Sequence, residues 1–397
     1  MKENDLQTWI IEPRDSLIVR DGKPFGGSIT HAFSLDFPFP STTTGGVRTR
    51  FGLNQDGIFD CPKDKLGELK ELKVRGSLLA EIDGKDEIAE FYLPAPADAL
   101  FLQDANQKEK KEAQICRLQP LDVEKLSGVS ERESFSNLPA EIPFPVGLNR
   151  TDKKDKPFND LKFWTWRNLK NWLHEANESA SVSIKNYGIG NLQKDTRTHV
   201  AINENFASEE GNLFQTRGLE FNYGDGNLQA RKFGLAVFVD SANGQKLQNK
   251  GNLAPLGGER RLVSWRESEE PHPILKCPNE TKERIVREKH CRLMLLTPAY
   301  FENGMPQSTE DYDIQAIACN RYQTVSGWDF EINKPKPTRR LVPAGSILFL
   351  KIKNGDIANW VDDTWFHCIG DDPQAKMDGF GLSILGTWDG NPLTEWR

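Results

Sequence analysis

The stretch Pro13-Arg14-Asp15-Ser16-Leu17-Ile18-Val19-Arg20-Asp21-Gly22-Lys23-Pro24-Phe25-Gly26 decides the reading of this chain. Trp9 and Ile11 precede it and Leu17 and Val19 fall within it, so apolar residues recur every second position on either side of the break at Pro13-Arg14-Asp15. A period of two lines side chains up on one face of an extended chain. The segment therefore reads as strand, turn and strand. Past the glycines, Phe37-Pro38-Phe39-Pro40 rules out regular structure, because proline fixes φ and removes a backbone donor. Ser41-Thr42-Thr43-Thr44-Gly45-Gly46-Val47-Arg48-Thr49-Arg50 then predicts a helix with Ser41 as its N-cap and Val47 and Phe51 facing inward. Residues 71–80 and 88–93 predict a hairpin about Asp83-Gly84. Strand, helix, strand, strand opens a ferredoxin-like βαββαβ unit.

A length of 397 residues suits two compact domains, each burying its own core. The expected fold class is α+β: two ferredoxin-like βαββαβ domains with long insertions and a C-terminal glycine-rich loop. The boundary is placed near 180, giving domains over 1–180 and 181–397. Residues 103–160 are polar, rich in Lys and Glu, and read as an insertion or long loop. Over 161–175, Trp164, Leu169, Trp172 and Leu173 fall at helical spacing, the pattern of a helix packed on a core, with a partner-binding helix as the alternative. Strands are expected over 213–221, 233–240, 262–265, 292–297 and 347–352, and no sequence repeat is visible.

The N-terminus lacks the apolar stretch of a signal peptide, and no apolar run is long enough to cross a bilayer, so a cytoplasmic protein without membrane contact is expected. Six scattered cysteines without a CxxC pair read as reduced and structural. No metal and no cofactor is expected. The formal net charge of −7 argues against nucleic acid, whose phosphates need cations. The local field counts more, however. Residues 334–353 hold six cations (Lys334, Lys336, Arg339, Arg340, Lys351, Lys353) and no carboxylate.

Four segments carry candidate chemistry. At the predicted helix start, backbone N–H groups, small hydroxyls and glycines suit a phosphate, with Arg48 and Arg50 supplying charge; an ordinary capped helix is the plain alternative. In the second segment, Arg197 and His199 share a strand face as RNA contacts, and a core histidine is an equal reading of His199. In the third, Pro255-Leu256-Gly257-Gly258-Glu259-Arg260-Arg261, the arginines reach either phosphate or a neighbouring carboxylate such as Glu259. The fourth joins Arg339-Arg340 to the loop Gly379-Phe380-Gly381 and Gly386, where a backbone nest would face a ribose-phosphate chain.

The first segment, with Pro40-Ser41-Thr42, Gly45 and Arg48-Thr49 after it, resembles the "PRD-x-L-x-x-RDG-x-PF" and "P-ST-x-x-G-x-x-R-T" signature of the RAMP-superfamily subunit-three family of type III-B CRISPR Cmr effector complexes. Arg197-Thr198 with Glu210-Gly211 and Leu213-Phe214, and the Leu256-Gly257-Gly258-Glu259 run, resemble two further blocks of that family. The resemblance implies RRM/RAMP-type domains and a non-catalytic subunit that holds the 5′ handle of the guide CRISPR RNA. It implies RNA contacts by Arg14, Arg20, Lys23, Ser41, Gly45, Gly46, Arg48 and Arg50. It extends them to Arg197, His199, Arg260, Arg261, Lys336, Arg339, Arg340, Gly379, Gly381 and Gly386. The implied partners are the large polymerase-like subunit and the backbone RAMP subunit, with target RNA met only indirectly.

Phosphate-loop, HExxH, GxSxG and Rossmann signatures are missing, which sets aside nucleotide hydrolysis, metalloprotease and esterase chemistry. The rival is a metal-independent RAMP endoribonuclease that processes repeat transcripts, for which His31 is placed to move a proton. A scaffold that touches only protein is the third reading.

Overall fold

The computed structural model describes residues 6–20, 34–54, 56–104, 112–127, 139, 141–148, 155–175, 180–224, 230–240, 252–329 and 334–395. Lys23 and His31 lie outside the described residues. Strand β1 (Leu6–Pro13) is buried from Gln7 to Glu12, so both of its faces are covered. Helix α1 (Pro40–Phe51) follows, then β2 (Val74–Ile82) and β3 (Ile88–Pro94). The turn between the last two is held by Asp83, whose carboxylate accepts from the amides of Lys85 and Glu87. Strand β4 (Phe163–Thr165) runs into α2 (Trp166–His174), where Thr165 caps the helix by accepting from the Asn168 amide. The apolar face of α2 (Trp166, Leu169, Trp172, Leu173) is buried, the outcome of its helical spacing. Beyond it come β5 (Gly188–Ile189), the ribbon of β6 (Gln193–Ile202) and β7 (Ser208–Glu220), β8 (Ala230–Asp240), β9 (Leu253–Pro255) and β10 (Leu262–Ser268).

The first sheet is antiparallel in the order β5-β4-β3-β2-β8-β1-β10-β9. Strand β8 therefore lies between β1 and β2, and the hairpin partner β3 lies outside. The reason is in the sequence of β8: Phe233 and the run Leu235 to Val239 are fully buried, which asks for a central strand with both faces covered. Residue 180, the expected boundary, lies in the strand Ala180–Ser183, which belongs to a separate four-stranded sheet.

The second half contributes α3 (Asn279–Glu288), β11 (His290–Leu295), β12 (Tyr312–Ala318), β13 (Arg339–Val342), β14 (Ile347–Ile352), α4 (Ile357–Thr364), β15 (His367–Cys368), α5 (Pro373–Met377) and β16 (Leu382–Thr387). Its sheet is antiparallel in the order β12-β14-β11-β16-β15. Counted along the chain, β2-β8-β1-β10 run second, third, first, fourth, and β12-β14-β11-β16 repeat that order. The two sheets part between Ser268 and His290. The fold is thus mixed α and β with mainly antiparallel sheets.

Part of the expected long loop is structured. Strands Ala99–Asp104, Glu112–Arg117, Asp155–Phe158 and Ala180–Ser183 form a four-stranded sheet, with Phe101, Ile115 and Phe158 buried beneath it. The apolar residues of these strands sit in short runs, Leu100-Phe101-Leu102 and Ile115-Cys116, separated by the charged stretches that set the composition of the segment.

The first sheet is the middle layer. Trp9, Ile11, Leu235 and Trp265 pack with Val47 of α1 on one face, while Ile10, Leu78 and Phe238 join α2 and the second sheet on the other. Between the halves, Arg292 is fully buried and paired with the equally buried Asp98. Its Nε donates to the Thr387 carbonyl at 2.9 Å and its Nη2 to those of Trp172 and Leu173 at 2.7 and 3.1 Å. Among the described residues no helix is long and apolar enough to cross a membrane.

Candidate functional site

The predicted phosphate cradle at α1 is built differently. The N-cap is Phe39, Pro40 takes the first helical position, and no side chain caps the end; Ser41 is exposed. The buried hydroxyls of Thr43 and Thr44 donate instead to the carbonyls of Pro40 and Asp378, at 3.0 and 2.8 Å. Gly45 is exposed, whereas a Cβ on Gly46 would fall 2.8 Å from Leu256 and 3.1 Å from Trp265. Gly46 thus lets α1 approach the sheet. Arg48 is an internal clasp, bonded to Asp378 at 2.6 Å and to the carbonyls of Lys70 and Leu72. Arg50 is buried with its guanidinium 5.1 Å over the Trp265 ring, and burial pulls its pKa below the usual value.

Asp15 gathers the next pair. Arg197 donates to it at 2.9 Å and to Asp195 at 2.7 Å, and Arg261 bonds both Asp15 and Glu259. Burial opposes ionisation of Asp15, but the Ser16 amide, Arg197 and Arg261 outweigh it and hold the carboxyl below the usual range. Arg261 makes the intramolecular ion pair that was one of its two readings. His199 sits half-buried on the ribbon with Nε2 2.8 Å from the Thr216 hydroxyl, on the surface rather than in a core. Arg260 is exposed with φ 51°. Arg14 lies 3.9 Å from Glu12, and Arg20 is exposed beside a backbone bridge to Ser34.

The C-terminal glycines face inward and form no open nest. The amides of Gly379, Phe380 and Gly381 donate to the carbonyls of Lys376, Ala375 and Pro298. A Cβ on Gly379 would meet the Gly76 carbonyl oxygen at 2.6 Å, and one on Gly386 would meet Leu173 Cδ2 at 2.8 Å. The glycines are needed where the two halves touch closely. In the basic stretch, Arg339 pairs with Asp372 at 2.5 Å and stacks 4.6 Å over Tyr300. Arg340 and Lys336 are exposed, and Arg340 lies 5.0 Å over the Tyr322 ring.

Sequence reasoning missed a cleft of about 480 Å³ between the halves. Phe37, Phe39, Tyr92 and Phe163 line it, together with Ser77, Lys162, Asn191, Gln323 and Pro298. Phe37 and Phe163 stand 5.3 Å apart, ring to ring. The Ser77 hydroxyl is buried on this wall with no hydrogen-bond partner among the described residues, and a buried polar group left so costs free energy that a ligand recovers. At the rim, Lys162 is exposed and pairs with no carboxylate among the described residues, while Asp36 is bound by Lys194. The Phe37-Pro38-Phe39-Pro40 run, read only as irregular, was the signal. Its partners come from distant segments. Flat aromatic walls, amides and a free hydroxyl suit a planar ring with polar edges.

The family model for CRISPR-associated protein (Cas_Cmr3) matches residues 9–388. A chain of "Cryo-EM structure of the Type III-B Cmr-beta bound to cognate target RNA and AMPPnP, state 1" is similar at 15% identity, over 90% of this chain and 88% of that one, with a TM-score of 0.42. A chain of "Cryo-EM structure of the Type III-B Cmr-beta bound to cognate target RNA" is similar at 14% identity, over 95% of this chain and 96% of that one, with a TM-score of 0.43. Among curated proteins, none matches the sequence.

Proposed function

The chain belongs to the family of the CRISPR-associated protein Cas_Cmr3, and from that premise we propose that it is the non-catalytic guide-RNA-binding subunit of a type III-B Cmr effector, capping the 5′ repeat-derived handle. The shared second, third, first, fourth strand order supports reading its halves as two RAMP-type ferredoxin-like units. Its partners are then the large polymerase-like subunit and the backbone RAMP subunit in the cytoplasm, with target RNA held by the guide.

The observation that carries the reading is the unpartnered Ser77 hydroxyl on the wall of an aromatic cleft. Single-stranded RNA is recognised by bases splayed from the stack onto aromatic planes and bonded along their edges. Phe37, Phe39 and Phe163 supply the planes, Ser77 and Gln323 supply edge partners, and Lys162 supplies charge for a phosphate at the rim. Where the sequence pointed to glycine nests, the cleft is the stronger candidate for the base-binding element.

The purified chain is titrated with labelled guide RNA bearing the handle and with the same RNA lacking it, at two salt concentrations. The handle RNA binds at least about tenfold more tightly, the difference expected of roughly 1.4 kcal/mol of specific contacts. Its affinity falls with salt. Equal affinities overturn the handle-capping role. Cleavage of repeat RNA in chelator, abolished by His31→Ala, overturns the non-catalytic half in favour of the endoribonuclease.

A further inference from the structure

The strand Gln323–Val325 pairs with β13, placing Thr324 opposite Arg340 and Val325 opposite Arg339. Residues facing each other across a ladder share a side of it. Leu341 and Val325 turn inward to pack with Phe39 and Phe380, and Arg339 is held by Asp372 and Tyr300. The opposite side is open, and there Tyr322, Thr324 and Arg340 are all exposed.

On that side Tyr322 is 52% exposed. Arg340 lies over its ring and, unlike those of Arg48, Arg197, Arg261 and Arg339, its guanidinium makes no ion pair or hydrogen bond among the described residues. Arg321, Lys334 and Lys336 are exposed along the same stretch. A half-exposed aromatic ring carrying an anion-free guanidinium, in a field of cations, is the arrangement on which bases of single strands stack with little regard to sequence. The neighbouring residue, Gln323, lines the aromatic cleft.

We propose that Tyr322 and Arg340 form a second base-stacking platform, taking a nucleobase of single-stranded RNA next along the strand from the base held in the cleft. This rests on the handle-binding reading and adds a direction: the strand leaves the cleft past Gln323 and runs toward Lys336. Arg340 serves as a stacking plane and, at its edge, a phosphate partner.

The test uses the full chain with handle RNAs carrying 2-aminopurine at one position at a time. Wild-type protein changes the emission at a position next to the one held in the cleft. Tyr322→Ala abolishes that change and weakens binding roughly tenfold, within the range of one lost base stack. Tyr322→Phe keeps both, and melting temperatures of the two variants match the wild type. Wild-type affinity and emission in Tyr322→Ala, with Ser77→Leu still weakening binding, overturn the platform and leave the cleft reading standing. Loss of assembly with the other effector subunits at unchanged RNA affinity overturns it in favour of a protein contact. Failure of the wild-type chain to bind handle RNA overturns both.

Discussion

Arg48 of α1 donates to Asp378, 330 positions further along the chain, at 2.6 Å, and its second nitrogen bonds the Lys70 and Leu72 carbonyls. The arginine that looked like a phosphate ligand thus joins α1, the chain before β2 and the end of α5. With side chains only 16% and 18% exposed, the pair is shielded from water, and breaking it takes a donor from the Leu72 carbonyl and leaves the Asp378 carboxylate and the Lys70 carbonyl with Gln374 Nε2. Arg48→Ala lowers unfolding free energy by about 2–3 kcal/mol. Arg48→Lys recovers only part of that, because one ammonium does not span the fork. Denaturant titration measures both, and an unchanged Arg48→Ala midpoint would show that the clasp contributes nothing.

The Arg292–Asp98 pair is a stronger case, since both side chains are fully buried and Asp98 also accepts from Trp172 Nε1 at 2.9 Å. Asp98→Ala strands a guanidinium in the core and costs about 3–5 kcal/mol. The double change Asp98→Leu with Arg292→Met removes both charges of the pair and restores part of the loss, the rest staying with the Thr387, Trp172 and Leu173 carbonyls that lose a donor and with the buried Arg117 that loses the field of Asp98. Thermal unfolding of the three proteins decides this: if the double variant is as unstable as Asp98→Ala, the lost hydrogen bonds and packing rather than the stranded charge set the cost.

These pairings also mark how far the sequence could be read. Local patterns gave β1, α1, β2 and α2, where the period of apolar residues is set within a dozen positions. The place of β8 was not legible, because the order of strands depends on which apolar face is left uncovered by segments far away. Arg48, Arg197 and Arg261 were visible as charges, but Asp378 and Asp15, which occupy them, are distant or face them only once the sheet is formed. The cleft was hidden for the same reason: Phe37, Ser77, Tyr92, Phe163 and Gln323 come from five segments.

His272 is buried with Nε2 3.2 Å from the Ser268 hydroxyl, which donates to Glu87, and its ring packs edge-on against Phe91. Burial lowers its pKa, outweighing the pull of Glu87, and burial likewise lowers that of His367. The unfolded imidazole titrates near ~6.5, so above that pH neither state holds the proton and stability is complete. As pH falls below ~6.5 the unfolded state protonates first, and stability declines until the folded-state pKa is passed. His272→Asn flattens this decline by up to about 1.4 kcal/mol per pH unit, leaving the part due to His367. Denaturation curves from pH 7.5 to 5 test the slope; parallel wild-type and variant curves would rule out His272 as its source.

Gly45 separates the two accounts of the α1 start. It lies in the helix, exposed, and a Cβ placed on it meets nothing within 4 Å. Glycine inside a helix gives up more chain entropy than alanine, so Gly45→Ala raises stability by about 0.5–1 kcal/mol. If the helix start cradled a phosphate, the added methyl would stand where the backbone must approach RNA, and affinity would drop as stability rose. With the Thr43 and Thr44 hydroxyls already bonded inside the protein and Phe39 as the cap, the expected result is higher stability at unchanged handle affinity. A tenfold loss of RNA binding in a more stable Gly45→Ala protein would return the phosphate to α1, and the cleft around Ser77 would then hold only the base.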